Sequence, residues 1–74
     1  MKRETKPTLG ARLRTMREAR FWTQAELAER AGLTQSQVSM IETGERRGWS
    51  YPTLSALAKA FGITVDHLME DINR

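Results

Sequence analysis

The stretch Thr34-Gln35-Ser36-Gln37-Val38-Ser39 gathers the chain's most chemically suggestive groups at what reads as the start of a helix. Thr34 and Gln37 have the T-x-x-Q spacing of a capping box, in which each side chain satisfies a backbone N–H of the other residue. Gln35, Ser36 and Gln37 then make up the first exposed turn, and all three are neutral hydrogen-bonding groups. A helix face that only has to be soluble usually carries Glu and Lys pairs. Neutral amides and hydroxyls do something else. A Gln side chain can bond adenine N6 and N7 in a bidentate way, and a Ser hydroxyl can donate or accept at several base edges. An uncharged face approaches a polyanion without like-charge repulsion, and the positive N-terminal end of the helix favours phosphate nearby. This is the chemistry of recognition, not of bond making.

The rest of the chain excludes most alternatives. With 74 residues there is room for one small domain, which buries roughly 60% of the surface its unfolded chain exposes. There is no Cys, so no disulfide framework, thiolate metal site or Cys nucleophile. One His, His67, cannot supply a multi-His metal cluster. No Ser/His/Asp set, carboxylate pair or Gly-rich phosphate loop stands at workable spacing. An enzyme, a metal and a cofactor are therefore not expected, and no small-molecule site is evident. No apolar run approaches the ~18 residues of a membrane span, and the polar stretch Met1–Pro7 is not followed by an apolar one, so it does not read as a signal peptide. A cytoplasmic protein is the expectation. The net charge is +3 and unevenly spread: residues 1–47 carry ten Lys and Arg against six Glu, and residues 48–74 two against three acids. One end suits a polyanion and the other does not.

These residues need elements to position them. Residues 1–7 lack apolar periodicity and read as a basic arm ahead of a single domain over residues 8–74, able to lie along phosphates or in a minor groove. Leu9, Leu13 and Met16 follow i, i+4, i+7, which predicts a first helix with Thr8 as N-cap, Arg12, Arg14 and Glu18 facing out, and an end near Arg20. Thr23 and Glu26 form a T-x-x-E capping box for a second helix with Leu27, Ala28 and Ala31 inward, stopped by Gly32. Only Leu33 separates Gly32 from Thr34, where the third helix starts. Its inward residues are Val38 and Ile41, its outward ones Gln35, Ser36, Gln37, Ser39 and Met40, and Gly44 ends it. Ser50 is the expected cap of a fourth helix, with Pro52 in its first turn, Leu54, Leu57, Ala58 and Phe61 as its apolar face, and Gly62 at its end. Thr64 caps a short fifth helix bearing Val65, Leu68 and Ile72. The fold class is all-α, a compact domain of five helices, and the short Gly-containing joint makes the second and third a helix-turn-helix.

Thr23-Gln24-Ala25-Glu26-Leu27-Ala28, then Ala31 through Ser39, then Ile41-Glu42-Thr43-Gly44, resembles the phage-repressor (Cro/C1, lambda-repressor-like) type of helix-turn-helix. The likeness continues through Leu57-Ala58-Lys59-Ala60-Phe61-Gly62-Ile63 and Val65-Asp66-His67-Leu68, about residues 9–69 in all. The resemblance implies sequence-specific binding of double-stranded DNA, with the third helix in the major groove and the second across the backbone. It implies that Gln35, Ser36, Gln37 and Met40 face bases, with Thr34 and Ser39 beside them. Gln24, next to Thr23 at the head of the second helix, would touch a phosphate and brace Gln35. Thr43 and the Gly44 backbone would contact phosphate, as would the leading amides near Ser50, and Arg46 and Arg47 would lie near the backbone or the minor groove. Arg17 and Glu42 match a pair that ties the first helix to the end of the third.

The chain departs from that pattern in several places. Phe21 stands where the family commonly has Gly, so its turn must close without a residue suited to positive φ, with Phe21 partly exposed and Trp22 in the core. Met40 replaces a position often polar or basic. The Glu45–Ser50 loop is one residue longer than usual, with Trp49 where Pro is common, and Trp49 and Tyr51 are expected as core or loop anchors. One such domain reads few base pairs, so a homodimer on a palindromic site is expected, with Val65, His67, Met69 and Ile72 of the fifth helix as candidate contacts, the alternative being that Val65 and Ile72 complete the monomer core. The function implied is that of a transcriptional repressor. The alternatives are an antitoxin with a toxin partner, a restriction–modification controller, or an adaptor that docks a protein helix.

Overall fold

The computed structural model describes residues 8–45, 49–70 and 72. The expected arm, residues 1–7, and the candidate phosphate contacts Arg46 and Arg47 lie outside the described residues. The regular structure is helical, as expected: α1 (Leu9–Ala19), α2 (Gln24–Ala31), α3 (Gln35–Thr43), α4 (Tyr51–Phe61) and α5 (Val65–Leu68).

Four helices begin with the same device. The hydroxyls of Thr8, Thr23, Thr34 and Thr64 accept from the backbone N–H of Ala11, Glu26, Gln37 and His67 at 3.0–3.1 Å. At Thr23 and Thr34 the box closes reciprocally, because Glu26 and Gln37 accept from the backbone N–H of the capping Thr. Each cap stabilises its helix by about 1 kcal/mol, which matters for helices of 8, 9 and 4 residues. Ser50 differs from expectation. It stands at the N-cap of α4, but its hydroxyl meets that of Thr53 at 3.2 Å and makes no capping bond to the backbone.

The first four helices also end alike. At each end one amide bonds a carbonyl three residues back and the next amide bonds one five back: Phe21 to Glu18 and Trp22 to Arg17, Gly32 to Glu29 and Leu33 to Ala28, Gly44 to Ile41 and Glu45 to Met40, Gly62 to Lys59 and Ile63 to Ala58. This closure puts one residue in the left-handed region. Gly32, Gly44 and Gly62 take it at φ 70°, 77° and 73°; at the end of α1 Phe21 takes it at φ 58°. For a residue with a Cβ that conformation costs roughly 1–2 kcal/mol.

Leu13, Leu27, Val38, Ile41, Leu57, Phe61 and Leu68 form one core shared by all five helices. Trp22 packs against it, stacked on Phe61 at 5.4 Å between centroids, with the Arg30 guanidinium 4.4 Å above the indole and that of Arg20 4.8 Å above the Phe61 ring. Two expectations are corrected. Arg12 does not simply face out: it is half-buried, and its Nη1 donates to the carbonyls of His67 and Leu68 at 3.2 Å, fastening the end of α5 to α1. Tyr51 is not a loop anchor: it is 67% exposed, whereas Trp49 does pack against the core. The first is a contact across the fold, which helical spacing does not encode. The second follows from the register of α4, which turns Leu57, Ala58 and Phe61 inward, leaves Leu54 half-buried and keeps its first residue outside.

Candidate nucleic-acid interface

The α2–turn–α3 unit is fixed by its two capping boxes and by Gly32, with Leu33 packed on the core between them. Burial of Val38 and Ile41 sets the rotation of α3. Gln35 and Ser36 are thereby exposed, and neither side chain bonds another described residue. Gln37, Ser39 and Met40 are half-buried, so the outward face is narrower than the residue types imply. The Oε1 of Gln37 is taken up by the Thr34 amide at 2.9 Å and approached by the Thr34 hydroxyl at 3.3 Å. Its amide nitrogen makes no bond with a described residue and remains available as a donor. Gln35 and Ser36 therefore keep their full hydrogen-bonding capacity, and Gln37 keeps half of its own.

At the other end of α3, Glu42 organises a network. Its side chain is 4% exposed. Oε2 accepts from Arg17 Nε at 2.7 Å and Oε1 from Arg17 Nη2 at 3.0 Å, the bidentate geometry in which guanidinium and carboxylate match best. Arg17 Nη1 donates to the Trp22 carbonyl at 2.7 Å, tying the pair to the α1–α2 corner. The hydrogen bond that Arg17 donates to Glu42 holds its guanidinium above its ordinary pKa against the opposing effect of burial. Gln24 joins the same carboxylate, its Nε2 donating to Glu42 Oε1 at 3.1 Å. The resemblance had Gln24 bracing Gln35, and no hydrogen bond joins the two. A carboxylate at this depth needs donors on both oxygens, and Gln24 is within reach of one.

Thr43 and Glu45 follow the end of α3, both exposed. The Thr43 hydroxyl lies 3.4 Å from the Met40 carbonyl and 3.5 Å from Glu45 Oε1. At α4, the Ser50 hydroxyl is held by Thr53 and leaves the first turn's backbone amides without a side-chain acceptor from the cap. Among the candidate dimer contacts, Ile72 is corrected: it is 6% exposed and belongs to the protomer's own interior. Val65 and Met69 are half-buried against the core, and His67 is exposed with its Nδ1 3.6 Å from Glu70 Oε1. Among the described residues no group of three His, Asp or Glu could hold a metal ion, and no helix is long and apolar enough to cross a membrane.

Two contacts had little signal in the sequence. Gly10 is buried, and a Cβ there would run into the Ile41 carbonyl and lie 2.7 Å from that of Glu42. An isolated Gly inside a helical pattern is the cue that could have found it. The bond from Gln24 to Glu42 has no such cue.

A family model described as a helix-turn-helix domain matches residues 8–71. The immunity repressor protein of Bacillus phage phi105 is 40% identical over 62 residues, which are 84% of this chain and 42% of that protein. The restriction-modification controller protein C.AhdI from Aeromonas hydrophila is 37% identical with a TM-score of 0.74, over 81% of this chain and 89% of that one. SinR of Bacillus subtilis, a master regulator for biofilm formation solved in complex with DNA, superposes with a TM-score of 0.79 at 27% identity, over 85% of this chain and all of that one. The chain spans about half the length of the curated relatives it matches. With its two capped helices, its Gly32 turn and a match over nearly its whole length, the chain belongs to the helix-turn-helix domain family.

Proposed function

We infer that this chain is a sequence-specific, double-stranded-DNA-binding transcriptional regulator that represses by occluding a promoter. The observation that carries this is the exposed first turn of α3, where Gln35 and Ser36 are neutral, solvent-facing and without hydrogen-bond partners among the described residues. Hydrogen-bonding groups of that kind at the head of a helix suit the edges of bases in a major groove. Gln37, Ser39 and Met40 of the same helix, with Thr34, Thr43, Thr23 and Gln24, are the further contacts of this reading. The leading amides of α2 and α4 supply partial positive charge for phosphates on either side. The likeness to repressors, and to a regulator solved on DNA, supports the same reading. The setting is the cytoplasm, where such a target is found. A homodimer with two-fold symmetry on a palindromic site completes the proposal, with Val65 and His67 of α5 and the following Met69 at its contact.

Selection of bound duplexes from a random pool tests binding, symmetry and sequence together. The expected result is one enriched site with inverted repeats. A Gln35→Ala variant should lose its preference at one base position in each half-site, at about 1–3 kcal/mol, and keep the rest. Binding should also weaken steeply as salt rises from 50 to 200 mM, because contacts to phosphate release counterions. An unenriched pool would remove the sequence-specific reading. An unchanged preference in Gln35→Ala would move base reading to other residues. Enrichment of a site without repeats would remove the dimer.

The restriction–modification controller remains a second reading of the circuit, favoured by the 37% identity to C.AhdI. It uses the same DNA-binding act and differs in the gene controlled.

A further inference from the structure

Phe21 combines two observations that are independent of each other. It is the non-glycine residue with positive φ among the described residues, in a closure that the next three helices give to glycine. It is also 91% exposed, against 67% for Tyr51. A phenyl ring in the left-handed region strains the native state, and a ring in water stabilises nothing inside the protein. Strain kept at one position without an internal return points to a contact outside the molecule.

Where that contact lies follows from the chain's path. Phe21 precedes Trp22, which is fixed by the Arg17–Trp22 bond, and stands two residues before Thr23, the N-cap of α2. The first residue of α2 is Gln24, so Phe21 stands three residues along the chain from the surface assigned above to the sugar–phosphate backbone. We propose that Phe21 extends the nucleic-acid interface, laying its ring on the apolar side of a deoxyribose next to the phosphate at the head of α2. The inference rests on the DNA-binding reading. A deoxyribose suits the ring because its carbons form the apolar part of an otherwise charged backbone, and because every nucleotide offers one, the contact adds affinity without reading sequence. The neighbouring cations Arg20 and Arg30 are turned onto Trp22 and Phe61. A protein partner is the competing occupant, but nothing on this corner beyond the ring itself favours one.

Phe21→Gly separates the contributions, because strain is present in both the free and the bound protein and cancels from the affinity. The variant should melt about 5 °C higher. It should bind both the selected duplex and an unrelated duplex about fivefold to tenfold more weakly, with the same base preference as the wild type. Phe21→Leu, which keeps apolar bulk, should recover most of the affinity. Hydroxyl-radical footprinting, which cleaves at exposed deoxyriboses, should show one protected sugar per half-site that becomes reactive in Phe21→Gly. If the wild type binds duplex DNA and Phe21→Gly binds it equally well with the same footprint, the ring does not touch DNA, and the proposal is overturned while the DNA-binding reading stands. If the wild type binds no duplex, both fall. If the base preference changes in Phe21→Gly, the ring reads sequence and the backbone contact is wrong.

Discussion

Arg17→Ala is expected to remove about 3–5 kcal/mol of folding stability, the usual loss when one partner of a buried ion pair is deleted. Glu42, 4% exposed beside Arg17, would be left with a single donor, Gln24 Nε2 at 3.1 Å, and the Trp22 carbonyl would lose its bond as well. A domain of 74 residues has a margin of roughly 4–11 kcal/mol, so the variant should lose a large fraction of its stability. Thermal melting and urea denaturation both read this. Arg17→Lys should recover only part, because an ammonium cannot reproduce the two parallel bonds and the third to Trp22. Arg17→Ala combined with Glu42→Ala should cost less than the sum of the two singles, since the double variant leaves no uncompensated charge. The pH dependence has a definite sign. A cation whose pKa is raised by folding contributes fully below its unfolded pKa and loses that contribution only as the pH climbs through the folded value. Arg17 is raised from an already alkaline reference, chiefly by its hydrogen bond to Glu42. Its contribution should thus persist at about pH 10. An Arg17→Ala protein that melts within a degree of the wild type would show that the pair adds nothing.

What could be read from the sequence, and what could not, divides along the range of the interaction. Thr23 and Glu26, or Thr34 and Gln37, are three residues apart, and their chemistry is complete within one turn, so the starts of α2 and α3 are written locally. Gly32, Gly44 and Gly62 announce helix ends for the same reason, since only the backbone of their own turn is involved. The periodic positions Leu27, Val38, Ile41 and Leu57 follow once the helices do. Arg12 was placed in solvent because its partners, the carbonyls of His67 and Leu68, lie 55 and 56 residues on. Nothing in the surrounding residues of α1 marks such a bond. Ile72 is equally suited by type to a dimer face or a core, and only its burial in the folded chain decides for the core. Ser50 has the right residue type for a cap, but Thr53 offers its hydroxyl a competing partner. At the candidate interface, the exposed types on α3 were legible. The engagement of Gln37 by Thr34 and of Gln24 by Glu42 was not, because an amide's residue type says nothing of which bond it already makes.

Gly10→Ala is the sharpest test of how α3 is held. In most helix interiors replacing Gly with Ala stabilises by about 1 kcal/mol, because the methyl restricts the unfolded chain and exposes less backbone. Here the sign should reverse. Gly10 is buried, and its missing Cβ is the space taken by the Ile41 carbonyl and, at 2.7 and 3.0 Å, by the carbonyl group of Glu42. These are backbone atoms of the last turn of α3 and cannot rotate aside as a side chain could. A methyl group must therefore push α1 and α3 apart, with an expected loss of about 3 kcal/mol, at the upper end for overpacking. Thr15→Ala, on an exposed position of the same helix, is the control and should change the melting temperature little. The consequence for DNA follows from where the pressure falls. Gly10 bears on the backbone of Ile41 and Glu42 while Arg17, two turns further along α1, grips the side chain of Glu42. The two contacts fix the last turn of α3 against α1 at two separated points, and that sets how its first turn is presented. Gly10→Ala should therefore weaken the selected duplex more than an unrelated one, measured at a temperature where the variant is folded. A variant that melts at or above the wild type would mean that the two helices do not meet as closely as this geometry requires.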